Sequence, residues 1–240
     1  MEKDIKAALR FLNSDYLLNV SIIEPIVCGT ADVIYASGSC VMIKDKAFDT
    51  YMIQTEELDK ADKLIECVPQ NSLLVAHNSA LAEFAMRKLG YGKSVPCYQA
   101  VYRKERFVLP ATDLSVRLMR EDEAELASEM YGFDVESAKQ HIGRGLVYGG
   151  YLAGELVAMI GRHFEGSMGL LEVKEKFRRM GYAEYLEKYL INSLLNKGRV
   201  HYCQIIEVNE PSLSLQRKLG LDISKNMLYW LVERNMNICN

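Results

Sequence analysis

LLEVKEKFRRMGYAEYLEKYL, residues 170–190, carries a strand, a turn and a helix start in one run. The apolar opening predicts a strand ending at Val173 or Lys174, followed by a short loop. Apolar residues then recur at 182, 186, 190 and 194, the spacing of one helix face, and Gly198 stops the helix. The first turn of this helix reads Arg178-Arg179-Met180-Gly181-Tyr182-Ala183. Two arginines are electrostatically wrong there. The helix dipole already places about half a positive charge at that end, and each added cation costs roughly 0.3–1 kcal/mol. The arrangement becomes right when an anion binds. Free N–H groups, a glycine and an alanine that let a ligand approach the backbone, and two guanidinium groups form a cradle for phosphate or pyrophosphate.

The flanking sequence places this run in a larger pattern. Downstream, VHYCQIIEV (200–208) reads as a strand leading into NEPSLSLQRKLG. There Asn209 is a helix cap, Pro211 falls in the first turn, and Gly220 closes the helix. Upstream, 114–119 reads as a strand and EDEAELASEMYG as a helix ending at Gly132. A second helix covers 135–143, and three strands turn at Ala153-Gly154 and Glu165-Gly166. The hexapeptide QRKLGL (216–221) echoes MRKLGY (86–91). Each copy sits in the order strand, Asn cap, helix, Gly stop, strand. In the first copy these are SLLVAH (72–77), Asn78, Gly90 and VPCYQAVYR (95–103); in the second the last strand is NMLYWLVER (226–234).

The repeat predicts a duplicated domain with a boundary in the unpatterned segment near 112, giving domains 1–112 and 113–240. Helices near 2–26, strands within 32–54 and a helix in 56–67 fill the first copy. Its equivalent helix begins at Thr55, where Glu56 and Glu57 meet the dipole and no glycine is present. That start needs no ligand, so one anion site is expected, in the second copy.

The 240 residues are 49 % hydrophobic and 25 % charged, enough for a sizeable core, and the net charge is −3. That balance argues against general nucleic-acid or anionic-membrane binding. No run is long and apolar enough to span a bilayer, and the charged N-terminus does not read as a signal peptide. Six scattered cysteines without CxxC and four dispersed histidines predict reduced thiols, no metal site and a cytoplasmic location.

VKEKFRRMGYA resembles the Arg/Gln-x-x-Gly-x-Gly/Ala signature of the GNAT superfamily, the acyl-CoA-dependent N-acyltransferases. NEPSLSLQRKLGL is similar to that family's second motif, with Asn209, Ser212, Gly220 and Leu221 in matching positions. The resemblance covers 114–234. The tandem layout and the final MLYWLVER are similar to the glycine N-acyltransferase-like branch. The implied fold is α/β with a mixed sheet in tandem, a degenerate N-terminal copy followed by a cofactor-binding catalytic one. The implied co-substrate is acetyl-CoA. Arg178, Arg179, Met180, Gly181, Tyr182 and Ala183 would take its pyrophosphate. Leu171 and Val173 would offer main-chain groups to the pantetheine arm, and Asn209 and Ser212 would complete the site. The Val173 N–H would stabilise the oxyanion.

Two positions depart from the family pattern. Gln216 stands where many members carry a tyrosine acid, and Gln204 where some carry a glutamate base. An amide supplies no proton at neutral pH. Three explanations stay open: thiolate leaving without an acid, substitution by Tyr182 or Tyr229, or loss of catalysis. Glu172 is the leading candidate base and Glu207 the next. Cys203 and His201 read as structural. The expected activity is transfer of an acetyl group to a small-molecule amine such as an amino acid, by direct attack in a ternary complex. The alternative is a non-catalytic acyl-CoA-binding regulatory module. The N-terminal copy would help wall the acceptor pocket, and a homodimer is allowed.

Overall fold

A computed structural model describes residues 2–46, 50–70 and 72–233. Arg234 and Cys239, which figure in the expected last strand and the cysteine count, lie outside the described residues. The chain forms two compact units. The first gathers residues up to Val101, Gln204–Ser212 and the strand from Asp222 onward; the second holds Tyr102–Cys203 and Leu213–Leu221. The expected split at 112 is linear, whereas these units are not.

The first unit opens with helices α1 (Glu2–Leu12) and α2 (Tyr16–Val27), the latter capped by Asp15. Strands β1 (Ala31–Ala36), β2 (Cys40–Asp45) and β3 (Thr50–Thr55) follow, then α3 (Leu58–Ile65), β4 (Leu73–Ala76), α4 (Ser79–Leu89) and β5 (Lys93–Tyr102). The expected Asn78 cap is present: its side chain accepts the Leu81 N–H, and Gly90 ends α4 in a left-handed conformation.

The second unit begins with β6 (Ser115–Leu118), α5 (Ala124–Tyr131) and α6 (Val135–Gly143). Next come β7 (Val147–Leu152), β8 (Glu155–Arg162), β9 (Met168–Val173) and α7 (Tyr182–Asn196). β10 (His201–Ile206), α8 (Glu210–Leu219) and β11 (Asp222–Val232) complete the chain. The order of elements is the one the sequence predicts.

In the first unit β1, β2, β3, β4, β11 and β5 lie side by side, with β3 and β4 parallel. β11 runs antiparallel to both β4 and β5, placing Tyr229 between Ala76 and Pro96. The last strand of the sequence therefore completes the N-terminal unit. The repeat marks β5 and β11 as equivalent closing strands, and periodicity says nothing about which sheet receives them. Two apolar clusters hold this unit. One joins Leu12, Ile22 and Ile43 under α1 and α2, and the other joins Ile53, Ile65 and Leu81 under α3 and α4.

In the second unit the order is β10, β9, β8, β7, β6, antiparallel except for β10 with β9. Alanines of α5 and α6 pack with Val147, Leu156, Met159 and Leu170. α7 lies on β8 and β9 and buries Leu186, Leu190, Ile191 and Leu194. Each buried leucine contributes about 1.5–3 kcal/mol. Glu123 anchors the start of α5. It accepts two bonds from Arg117, one from the Arg120 N–H and one from the Tyr151 hydroxyl. The Arg117 guanidinium holds its carboxyl down at about 2.

Candidate functional site

β9 is irregular where the sequence places the reacting backbone. Its register with β8 shifts between Met159 and Gly161, and Leu170, opposite that shift, has a left-handed φ of 53°. A leucine in that conformation is strained, and such bulges re-aim the residues beyond them. On its other side β9 pairs with β10 at one register, Cys203 opposite Met168.

Past β9 a 3₁₀ turn, Glu175–Phe177, leads to the start of α7. Gly181 is the N-cap of α7, with φ 86°, and no side chain caps the helix. A glycine adopts this φ without penalty, while an L residue pays about 1–2 kcal/mol. Arg179 accepts that cost, at φ 66°, and is exposed. It has no hydrogen bond or ion pair among the described residues. An uncapped helix start beside an unpaired, strained arginine is the electrostatic pattern the sequence predicts. The one acidic residue of the first turn, Glu184, is taken by Lys188 and Lys218.

Other predicted residues are placed differently. Arg178 turns back onto β9: its Nε donates to the Val173 carbonyl at 3.1 Å and its Nη2 to Glu172 Oε1 at 3.0 Å. Glu172 Oε1 also accepts the Val173 N–H at 3.1 Å. The donor expected to face an oxyanion thus holds a carboxylate here. Glu172 satisfies both the amide and the arginine. Met180 is exposed, Ala183 is half-buried, and Tyr182 is buried with its hydroxyl 3.3 Å from Asp113 Oδ1. Leu171 is half-buried.

Asn209 and Ser212 lie in the first unit. Asn209 Oδ1 accepts the Ser212 N–H at 3.1 Å, the predicted cap of α8. Gln204 accepts a bond from the Trp230 indole N–H, and Glu207 is exposed. In the second unit Gln216 donates to Glu187, a fully buried carboxyl on α7. Cys203 is buried, with its thiol pushed up by burial first and by Glu187 second. Burial holds His201 near 3, so it stays neutral.

A cleft of about 410 Å³ opens where β9 ends. Leu126, Glu129 and Met130 of α5, Leu156, Glu172, Val173, Lys174, Glu175 and Arg178 line it. The sequence reading missed Glu129, Glu175 and the α5 apolar pair, which only the packing of α5 on β9 brings to Val173. It also missed Glu187, although one signal was available. A glutamate at 187 shares the face of Leu190, Ile191 and Leu194, where an unpaired charge is costly. Among the described residues no group of His, Cys, Asp or Glu could hold a metal ion. No described helix is long and apolar enough to cross a membrane.

The family model described as FR47-like protein matches residues 143–231, the stretch from the end of α6 to β11. No curated protein matches the chain by sequence. Among solved structures the chain is similar to a GCN5-related N-acetyltransferase-like protein from Streptococcus suis. That pair is 16 % identical, covers 96 % of this chain and 100 % of the other, and has a TM-score of 0.58. A Drosophila protein matches with 14 % identity over 92 % of this chain and 89 % of its own, at a TM-score of 0.61. A tandem GNAT protein from the clavulanic acid biosynthesis pathway matches with 12 % identity over 92 % and 89 %, at 0.52. The fold is the mixed α/β fold of GCN5-related N-acetyltransferases.

Proposed function

We propose that this chain is an acyl-CoA-dependent N-acyltransferase that moves an acetyl group from acetyl-CoA to a small-molecule amine. The observation that carries the reading is the uncapped start of α7 next to unpaired Arg179. The N–H groups of Gly181, Tyr182 and Ala183 and the Arg179 guanidinium would hold the pyrophosphate, with Met180 beside it. Arg178 would join them by leaving Glu172. Main-chain groups of Leu171 and Val173 are the proposed contacts of the pantetheine arm. The co-substrate supplies an activated thioester.

The chain's own groups then do the rest. Once Arg178 turns to the phosphates, Glu172 loses one of its two partners. A thioester oxygen at the Val173 N–H displaces the other, and a preorganised amide there is worth a few kcal/mol in the transition state. The freed Glu172 carboxylate faces the cleft, where it can take the proton that an ammonium must lose before attack. Leu126, Met130 and Leu156 give that cleft an apolar wall, and Glu129 and Glu175 favour a cationic amine. A free amino acid is the acceptor this reading favours, in a ternary complex, in the cytoplasm, without nucleic acid or membrane as partner. The first copy is proposed to be degenerate, with no cofactor site.

The test follows thiol release from acetyl-CoA against a panel of amines, amino acids included. Release with at least one amine supports the reading. Tight acetyl-CoA binding with release from none replaces it with a non-catalytic acyl-CoA-binding protein. Gln204 and Gln216 are both held in structural bonds, which gives that second reading its one point of support.

A further inference from the structure

Glu187, at 0 % exposure, is the most deeply buried carboxyl among the described residues. It comes from α7, and α8 brings Gln216, only 2 % exposed, against it. The Gln216 Nε2–H donates to Glu187 Oε1. That single bond leaves two buried oxygens, Glu187 Oε2 and Gln216 Oε1, without a hydrogen-bond partner among the described residues. Two acceptors cannot satisfy one another. Each buried orphan costs about 1–3 kcal/mol, and more when it carries charge. One proton between them removes both deficits: Glu187 Oε2–H donates to Gln216 Oε1, and Gln216 Nε2–H donates back.

The surroundings favour that proton. Facing Glu187 from β10 is the neutral Cys203 thiol, and from α8 the neutral Gln216 amide. Of the three cations on these helices, Lys188 and Lys218 are held by Glu184, and Arg217 is exposed at the end of α8. No cation acts on the Glu187 carboxyl, and burial pushes it up to about 8 against the pull of the Gln216 bond.

We propose that the folded protein carries Glu187 as a neutral carboxylic acid, closed with Gln216 into a two-bond ring that fastens α7 to α8. Glu187 is a positioning residue. It sits six residues, about 9 Å along the axis, from the Gly181 start of the same helix. Losing its proton opens the seam behind the anion-receiving helix start. The link to ligand binding rests on the proposed acetyl-CoA site; the protonation does not.

The sign follows from linkage. Between the ordinary carboxylate value of 4.5 and about 8, the folded state holds one proton more than the unfolded state. Stability therefore falls as pH rises through this window and levels off above it. His77 and His201, held near 3 by burial, and His141, lowered by burial, lose influence above about 6.5, and the comparison with E187Q over pH 6.5–8 isolates Glu187.

The experiment compares the whole chain with E187Q, whose amide keeps a two-bond ring, and with E187L, which leaves Gln216 unpaired. Infrared spectra at pH 7 should show a protonated carboxyl band that E187Q lacks. The melting temperature of the wild type relative to E187Q should drop by roughly 4 °C or more from pH 6.5 to 8. Acetyl-CoA affinity of the wild type should weaken about tenfold above pH 8 while that of E187Q holds, and E187L should be weak at every pH. An unchanged infrared band in E187Q, or an equal pH slope, overturns the neutral acid. A lost proton with constant affinity overturns the positioning role. Failure to bind acetyl-CoA at pH 7 would strike the proposed function and with it the positioning role, while the infrared and thermal results still decide the proton.

Discussion

α3 and α7 each follow the third strand of a three-stranded antiparallel run, β1–β3 in one unit and β7–β9 in the other. Their starts are built in opposite ways. Before α3, Thr55 Oγ1 accepts the Glu57 N–H at 3.0 Å, Glu57 pairs with Lys60, and Asp59 sits in the first turn. The acids meet the dipole, though Glu56 and Glu57 precede the helix rather than opening it, because Thr55 ties the chain into a turn first. Before α7 there is no cap, a left-handed glycine and a left-handed arginine without a partner. One start is met by its own acids; the other has no side-chain cap. The two starts follow the same order of elements, and a handful of residues sets them apart.

The comparison breaks most sharply at Arg179. R179E should weaken acetyl-CoA binding by about 100-fold, through loss of a charge-assisted contact and gain of a repulsion. Titration calorimetry reads this directly, and an unchanged affinity would mean the pyrophosphate lies elsewhere. G181V should weaken binding about tenfold and cost roughly 1–2 kcal/mol in urea denaturation, since a branched side chain resists φ 86°. The reverse change, E57R in α3, should lower stability only slightly, through the dipole and the exposed Lys60 pair. It should create no pyrophosphate binding; a new site at α3 would show that cations alone suffice, without the glycine. Smallest of all, Y182F removes one 3.3 Å bond to Asp113 and should cost about 0.5–1 kcal/mol. If it also abolished turnover, the tyrosine would be the missing acid.

Away from these helix starts, Glu123 offers a pH control. Its carboxyl, held near 2 by Arg117, contributes stability that is present above the ordinary value of 4.5 and lost as pH falls toward 2. That is opposite in sign to Glu187, so E123Q should remove the acid-side loss seen in the wild type and E187Q the alkaline-side loss, each without touching the other.

The legible part of the molecule was local. Asn78 and Asn209 cap the helices they were expected to cap, Gly90 and Gly132 end theirs in left-handed conformations, and Ala153-Gly154 turns a hairpin. Each depends on a few neighbouring residues. The missing side-chain cap at the start of α7 is also local, set by Gly181 standing at the N-cap. What escaped was whatever required a distant partner. Gln216 stands where the sequence suggests a missing acid, and it binds Glu187 of a different helix.

The sequence by itself determined the order of the elements, their ends and the one helix start left electrostatically open. All three follow from periodicity, capping and charge acting within a turn or two. Tertiary structure alone decided that β11 lies between β4 and β5, that α5 walls the cleft at Val173, and that Glu187 meets Gln216. Those outcomes are set by burial and by hydrogen bonds between residues far apart in the chain, where competing pairings differ in packing and solvation and leave no mark on local pattern.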